Sequence, residues 1–150
     1  MRKLRIYLDT SVVGGCFDER FREASRSLMA LFAKRDAVLL ASDLLLRELD
    51  GAPVEVQAVM TGLPVESIER VALNEEADRL KELYLDAKVV GPTHGNDALH
   101  VGLATVARAD MIVSWNFKHI VHFEKMRGFN AVNLREGYGT LAILSPLEVV

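Results

Sequence analysis

The sequence predicts an α/β fold, a three-layer α/β/α sandwich around a central, mostly parallel sheet. Two observations predict it. Short apolar runs of strand length alternate with longer stretches of helical period, the pattern of parallel strands joined by helical crossovers. The 150 residues, 50% of them hydrophobic, also suffice to bury a proper core. No repeat, low-complexity tract or linker interrupts the alternation, so residues 1–150 are read as one domain.

Each element has its own signal. "KLRIYL", residues 3–8, reads as the first strand, and "FREASRSLMALFAKR" as a helix with Leu28, Leu31 and Phe32 on one face. "AVLLA", residues 37–41, is the second strand, after which Ser42 or Asp43 can cap a helix through "LLLRELD". Pro53 starts the helix "PVEVQAVMTG", and "PVESIERV" is expected as a third, edge strand. Asn74 caps the long helix "EEADRLKELYLDAKVV", which Gly91 and Pro92 stop. Asn96 or Asp97 opens "DALHVGLATVARAD", apolar almost all round and hence a buried helix. "MIVS" is the next strand, "FKHIVHFEKMRG" another helix, and "AVNL" and "LAIL" are late strands.

Composition narrows the function. Eighteen Lys and Arg against 21 Asp and Glu give a net charge of -3, so no global positive field announces a polyanion partner. Any contact with nucleic acid must come from a local patch. Cys16 is alone and cannot form an internal disulfide, while the basic start "MRKLRIYL" lacks the long apolar region of a signal peptide. A cytoplasmic protein is expected. "AVLLASDLLL" is the most apolar stretch, but Asp43 interrupts it and it is too short to span a bilayer.

The topology then gathers chemistry at one place. In an open parallel sheet, helices begin at the edge where strands end, and ligands bind outside that edge. Asp9 ends the first strand, Glu48 lies in the helix after the second, Asp97 begins the helix that returns through "MIVS", and Ser114 to Asn116 follow that strand. Converging carboxylates repel and raise one another's pKa unless a cation sits among them. Oxygen donors suit Mg²⁺ or Mn²⁺ rather than zinc, and such an ion keeps positions open for water and phosphate oxygens. Metal-assisted hydrolysis of a phosphodiester is the chemistry this set invites.

"YLDTSVV", "LLLRELD", "NDALHVGLA" and "IVSWNFKHI", in this order and spacing, resemble the PIN-domain nucleases, particularly the VapC-like bacterial group. The likeness runs from the first strand to "ILSPLEVV". It implies that Asp9, Glu48 and Asp97 form the acidic metal site, with the Ser114 hydroxyl beside them. Many members carry a further acid where this chain has Asn116, whose amide oxygen ligates weakly and brings no charge; one metal or two is left open. "WNFKHI" itself resembles the usual motif of one subgroup. The resemblance implies a Mg²⁺- or Mn²⁺-dependent endoribonuclease acting on single-stranded or looped RNA. It also implies an antitoxin protein as partner and a homodimeric state.

Other readings weigh against this one. Asp9 can simply end a strand, with Thr10 and Ser11 stabilising the turn, Asp97 can be an N-cap, and Glu48 can be a solvated helix residue beside Arg47. A phosphatase of the haloacid dehalogenase type also places an Asp after its first strand, but it wants an acid two positions later, where this chain has Ser11. A catalytically silent module for RNA or protein contacts is the rival from another class, favoured by Asn116. The spacing of His94, Asp97 and His100 is compatible with zinc, although no cysteine accompanies it. Lys118 and His119 are placed to meet phosphate, and Trp115 either stacks on a base or packs on a helix. Arg20, Arg22, Arg26, Lys34 and Arg35 cluster around the first helix as a mostly solvated face, some of which could contact RNA backbone or an acidic partner segment.

Overall fold

A computed structural model describes residues 2–150 of the chain. Five strands, β1 (Leu4–Leu8), β2 (Ala37–Ser42), β3 (Ile68–Val71), β4 (Met111–Val113) and β5 (Ala142–Leu144), form one sheet in the order β3-β2-β1-β4-β5. Every pairing is parallel, with Tyr7 opposite both Leu40 and Ile112. The α/β sandwich expected from the sequence is therefore present, its sheet wholly rather than mostly parallel.

Strand alternation builds the two cores. Tyr7, Leu40, Ile112 and Ile143 point to one face, where they meet α5 (Glu75–Asp86), α6 (Gly95–Val106) and α7 (Phe123–Arg135). Ile6, Leu8, Leu39, Ala41 and Val113 point to the other, against α1 (Thr10–Gly15), α2 (Arg22–Ala33), α3 (Asp43–Asp50) and α4 (Val54–Thr61). A terminal turn, α8 (Pro146–Val149), closes the chain with a capping box of Ser145 and Glu148. The Ser42 hydroxyl caps α3 through the Leu45 N–H, and the Asn74 amide oxygen caps α5 through the Ala77 N–H.

Helices α5 and α6 pack with their backbones in close approach. A Cβ at Gly102 would stand 2.9 Å from the Ala77 carbonyl oxygen, so only glycine fits that crossing. Gly15 is forced in the same way on the other face, where a Cβ would meet Ser25 Oγ at 2.6 Å and Trp115 Nε1 at 2.8 Å.

Several sequence expectations are corrected. "AVNL" is not a strand but the last turns of α7: Phe129, Val132 and Asn133 lie buried on one helical face. Asn133 accepts from the Tyr84 hydroxyl and donates to Thr105 Oγ1 at 3.2 Å, which ties α7 to α5 and α6. Helix α7 also starts later than expected. Residues 117–122 form a turn in which the Asn116 carbonyl accepts from the N–H groups of Ile120 and Val121. Helix α5 stops before Gly91, closed at Lys88 with φ of 59°. Helix α6 begins at Gly95, which makes Asp97 a first-turn acid rather than the N-cap, the position His94 occupies. The six-residue α1 had no clear signal in the sequence.

Candidate active site

Strand order reverses between β1 and β4, and the carboxyl ends of these two neighbours open the crevice where ligands bind in such sheets. Asp9 follows β1 and Ser114 follows β4. The Asp9 carboxylate is only 5% exposed and bridges the two strand ends: Ser11 Oγ donates to Oδ1 at 2.6 Å, and Ser114 Oγ to Oδ2 at 2.7 Å. Each hydroxyl is itself oriented by an N–H, that of Trp115 on Ser11 Oγ and that of Asn116 on Ser114 Oγ, both at 2.9 Å. Both serine protons are thereby aimed at Asp9.

Burial pushes the Asp9 carboxyl above its ordinary pKa; His100 and the two serines oppose this, and the Asp97 charge adds to it. Its hydrogen-bond donors among the described residues are hydroxyls, and no lysine or arginine enters its electrostatic environment.

Glu48, in the last turn of α3, reaches the same crevice. Its Oε1 accepts from Thr10 Oγ1 at 2.8 Å and from His100 Nε2 at 2.6 Å. Burial pushes this carboxyl up, but the hydrogen bond and charge of His100, with Thr10, outweigh it and hold Glu48 below its usual range. The two hydroxyls of "DTS" thus serve different acids, Thr10 serving Glu48 and Ser11 serving Asp9.

His100 is 3% exposed on α6, and sequence reasoning considered it only for zinc. Its Nδ1 lies 2.7 Å from the Tyr7 hydroxyl, which donates to Ser42 Oγ at 2.9 Å. The ring thus bridges the Tyr7 hydroxyl and the Glu48 carboxylate, one nitrogen to each. A polar residue at a fully buried position of an otherwise apolar helix was the available signal for this role.

Asp97 stands at the open side of the crevice, its side chain 24% exposed and its Oδ2 3.6 Å from His94 Nδ1. His94 stacks on His119 with ring centroids 3.5 Å apart. Burial, the neighbouring His94 and Lys118 and Lys125 push His119 below its usual pKa, while Asp97 raises it. The three histidines do not converge on one point: His100 turns inward to Glu48, whereas His94 and His119 face each other. Asn116 Oδ1 accepts from the His119 N–H at 2.9 Å, so its oxygen already fixes the "SWNFKH" turn.

Trp115 packs rather than offering a free base platform. It is 6% exposed, stacks on Phe21 with centroids 4.2 Å apart, and donates from Nε1 to Ser25 Oγ. The basic residues around α2 are also partly committed: Arg20 pairs with Asp18, Arg26 donates to the Cys16 carbonyl, and Arg35 pairs with Glu66.

The chemistry of the donor set fits a hard divalent ion, with three carboxylates and hydroxyl neighbours and no sulfur. The geometry is open, because no three His, Cys, Asp or Glu side chains among the described residues already converge as a metal cage. Mg²⁺ retains several waters and commonly takes only one or two protein carboxylates, which an open set can supply.

Neither a family model nor a curated protein matches the chain. A solved structure does: VapBC2 from Rickettsia felis, bound to a DNA fragment from their promoter, is similar over 95% of this chain and 98% of that chain, with 16% sequence identity and a TM-score of 0.57. The likeness is one of fold. Among the described residues no helix is long and apolar enough to cross a membrane.

Proposed function

We propose that this chain is a single-domain, metal-dependent endoribonuclease of the VapC-like PIN type, hydrolysing phosphodiester bonds of single-stranded or looped RNA. The observation that carries the reading is Asp9, a buried carboxylate at the topological switch point whose donors are hydroxyls, with Asp97 in electrostatic reach. A charge in such a place costs several kcal/mol unless a cation compensates it. Mg²⁺ or Mn²⁺ is the cation proposed, held by Asp9, Glu48 and Asp97, with Ser114 orienting Asp9 and Asn116 at the margin of the set. When bound, the ion supplies an acidified water and a polarised phosphate oxygen.

The residues of the chain contribute orientation. Ser11 and Ser114 fix the plane of the Asp9 carboxylate, Thr10 donates to Glu48, and Asp97 stands where solvent and substrate enter. Lys118, His119 and His94 line that entrance and suit contact with the phosphate backbone. An antitoxin protein as partner, a homodimer and a cytoplasmic location belong to the same reading. The likeness to VapBC2 with promoter DNA supports the partner, and the net charge of -3 leaves phosphate contacts to this local rim.

A silent RNA- or protein-binding module is the second reading, favoured by Asn116 standing in place of an acid with its oxygen engaged by the His119 N–H. The phosphatase reading loses support, because Ser11 donates its only proton to Asp9 and offers no general acid. One experiment separates the three. Purified protein is incubated with a single-stranded RNA and with a phosphomonoester, with Mn²⁺ or with chelator, beside Asp9→Asn. RNA cleavage that needs both Mn²⁺ and Asp9, without phosphomonoester turnover, is the expected result; an inert protein that still retains RNA would establish the silent module.

A further inference from the structure

His100 is itself buried, and it sits at the centre of a largely buried polar chain. That chain starts at the N-cap of α3, where Ser42 Oγ accepts from the Leu45 N–H at 3.0 Å, and passes through Tyr7 and His100 back to Glu48 on the same helix. We infer that His100 is a positioning residue for Glu48: clamped by Tyr7, its imidazole holds Oε1 and leaves Oε2 as the oxygen available to a divalent ion. The inference rests on the metal-dependent reading above.

Three features of the chain support it. Glu48 projects from the last turn of α3 and has flexible torsions whose ordering carries an entropic cost, so an unclamped carboxylate would be spread over several rotamers. Both donors to Glu48, Thr10 and His100, converge on the same oxygen, Oε1, an asymmetry that selects one oxygen for outside contact. The imidazole cannot swing away either, because it is 3% exposed and packs edge-on against Tyr7 with centroids 5.7 Å apart. A histidine with a purely structural part would have no need of a partly exposed carboxylate 2.6 Å away, as the Tyr7 contact alone would satisfy one ring nitrogen. Outer partners of metal-binding carboxylates typically change metal affinity 10–100-fold when removed.

The test measures Mn²⁺ binding calorimetrically on folded full-length protein, beside thermal midpoints in chelator. His100→Ala is expected to weaken Mn²⁺ binding by about tenfold or more. His100→Gln keeps an N–H donor near the Nε2 position and should recover most of that loss, although it gives up the Tyr7 contact. Tyr7→Phe keeps the imidazole but loosens it, and should weaken binding by a smaller factor. If His100→Ala fails to fold, the Gln and Phe variants carry the comparison. Variants that lower the thermal midpoint in chelator but bind Mn²⁺ as wild type does would overturn the positioning role while sparing the metal reading. A Gln variant no better than the Ala variant would overturn it too. Wild-type protein that takes up no Mn²⁺ would overturn the metal reading, and this inference with it.

Discussion

Asp9→Asn removes the charge from the most buried acid of the crevice while preserving its shape, and its effect on the metal-free protein can be worked out from the contacts. Both serine protons are aimed at Asp9, so an amide in its place keeps one acceptor oxygen and confronts the other hydroxyl with a donor. One charge-assisted hydrogen bond, about 1.5–3 kcal/mol, is lost. Against that, the variant no longer buries a carboxylate that only His100 and two hydroxyls offset, whose cost is several kcal/mol, nor does it feel repulsion from Asp97. The net expectation is a gain on the order of 1 kcal/mol in chelator at about pH 8, or roughly 2–4 °C in Tm for a domain of this size.

The pH dependence fixes the sign. Asp9 has a folded pKa raised chiefly by burial, so wild-type protein holds its full share of stability from this group below the unfolded pKa and loses it as pH rises through the folded one. The advantage of the Asn variant should therefore shrink on acidification and vanish below about pH 4, where the wild-type carboxyl is neutral as well. Thermal unfolding followed by circular dichroism, in chelator, across this range is the assay. A variant less stable than wild type at the alkaline end, or a difference that does not change with pH, would refute the argument.

Further outcomes follow from other contacts. Glu48→Gln and Glu48→Asp should both weaken Mn²⁺ binding, the first by removing charge and the second by shortening the reach to Thr10 and His100; an Asp variant that titrates with Mn²⁺ like wild type would make Glu48 a surface residue. Asn116→Asp keeps the acceptor for the His119 N–H and adds a negative charge, so the Mn²⁺ concentration for half-maximal RNA cleavage should fall and the apo Tm should drop slightly. Uniformly lower activity at all metal concentrations would instead confine Asn116 to the turn. Gly102→Ala drives a Cβ to 2.9 Å from the Ala77 carbonyl and should cost about 1–3 kcal/mol in chemical denaturation, with α5 and α6 forced apart. Ser25→Ala leaves the buried Trp115 indole N–H without its acceptor, a loss of about 1–3 kcal/mol that the single tryptophan's fluorescence can follow.

The parts legible in the sequence were those that depend on periodicity and topology. Alternating apolar runs gave the five strands, apart from "AVNL", and the rule that helices begin where strands end brought Asp9 and Ser114 together before any geometry was known. What stayed illegible depends on rotation and tertiary anchoring. "TSVVGG" carries two β-branched valines and two glycines, poor helix formers, and is helical because Val12 and Val13 are buried against the sheet. "AVNL" has strand composition, but Asn133 is claimed by Tyr84 and Thr105, which only a helix can present together with Phe129. Which way His100 points depends on how α6 is turned about its axis, and that is set by the backbone contact at Gly102, a feature with no periodic signature.

The two N–H groups that steady the serines give the crevice a built-in listening post. Trp115 and Asn116 donate to hydroxyls whose protons lie on Asp9, so any change in the electron density of that carboxylate, whether by protonation or by an approaching cation, is passed through one hydroxyl to each peptide group. Their amide resonances in a ¹⁵N–¹H spectrum should therefore shift together whenever Asp9 changes state. The indole resonance of Trp115, turned away toward Ser25 on the far side of the ring, should stay nearly still and serve as the internal reference.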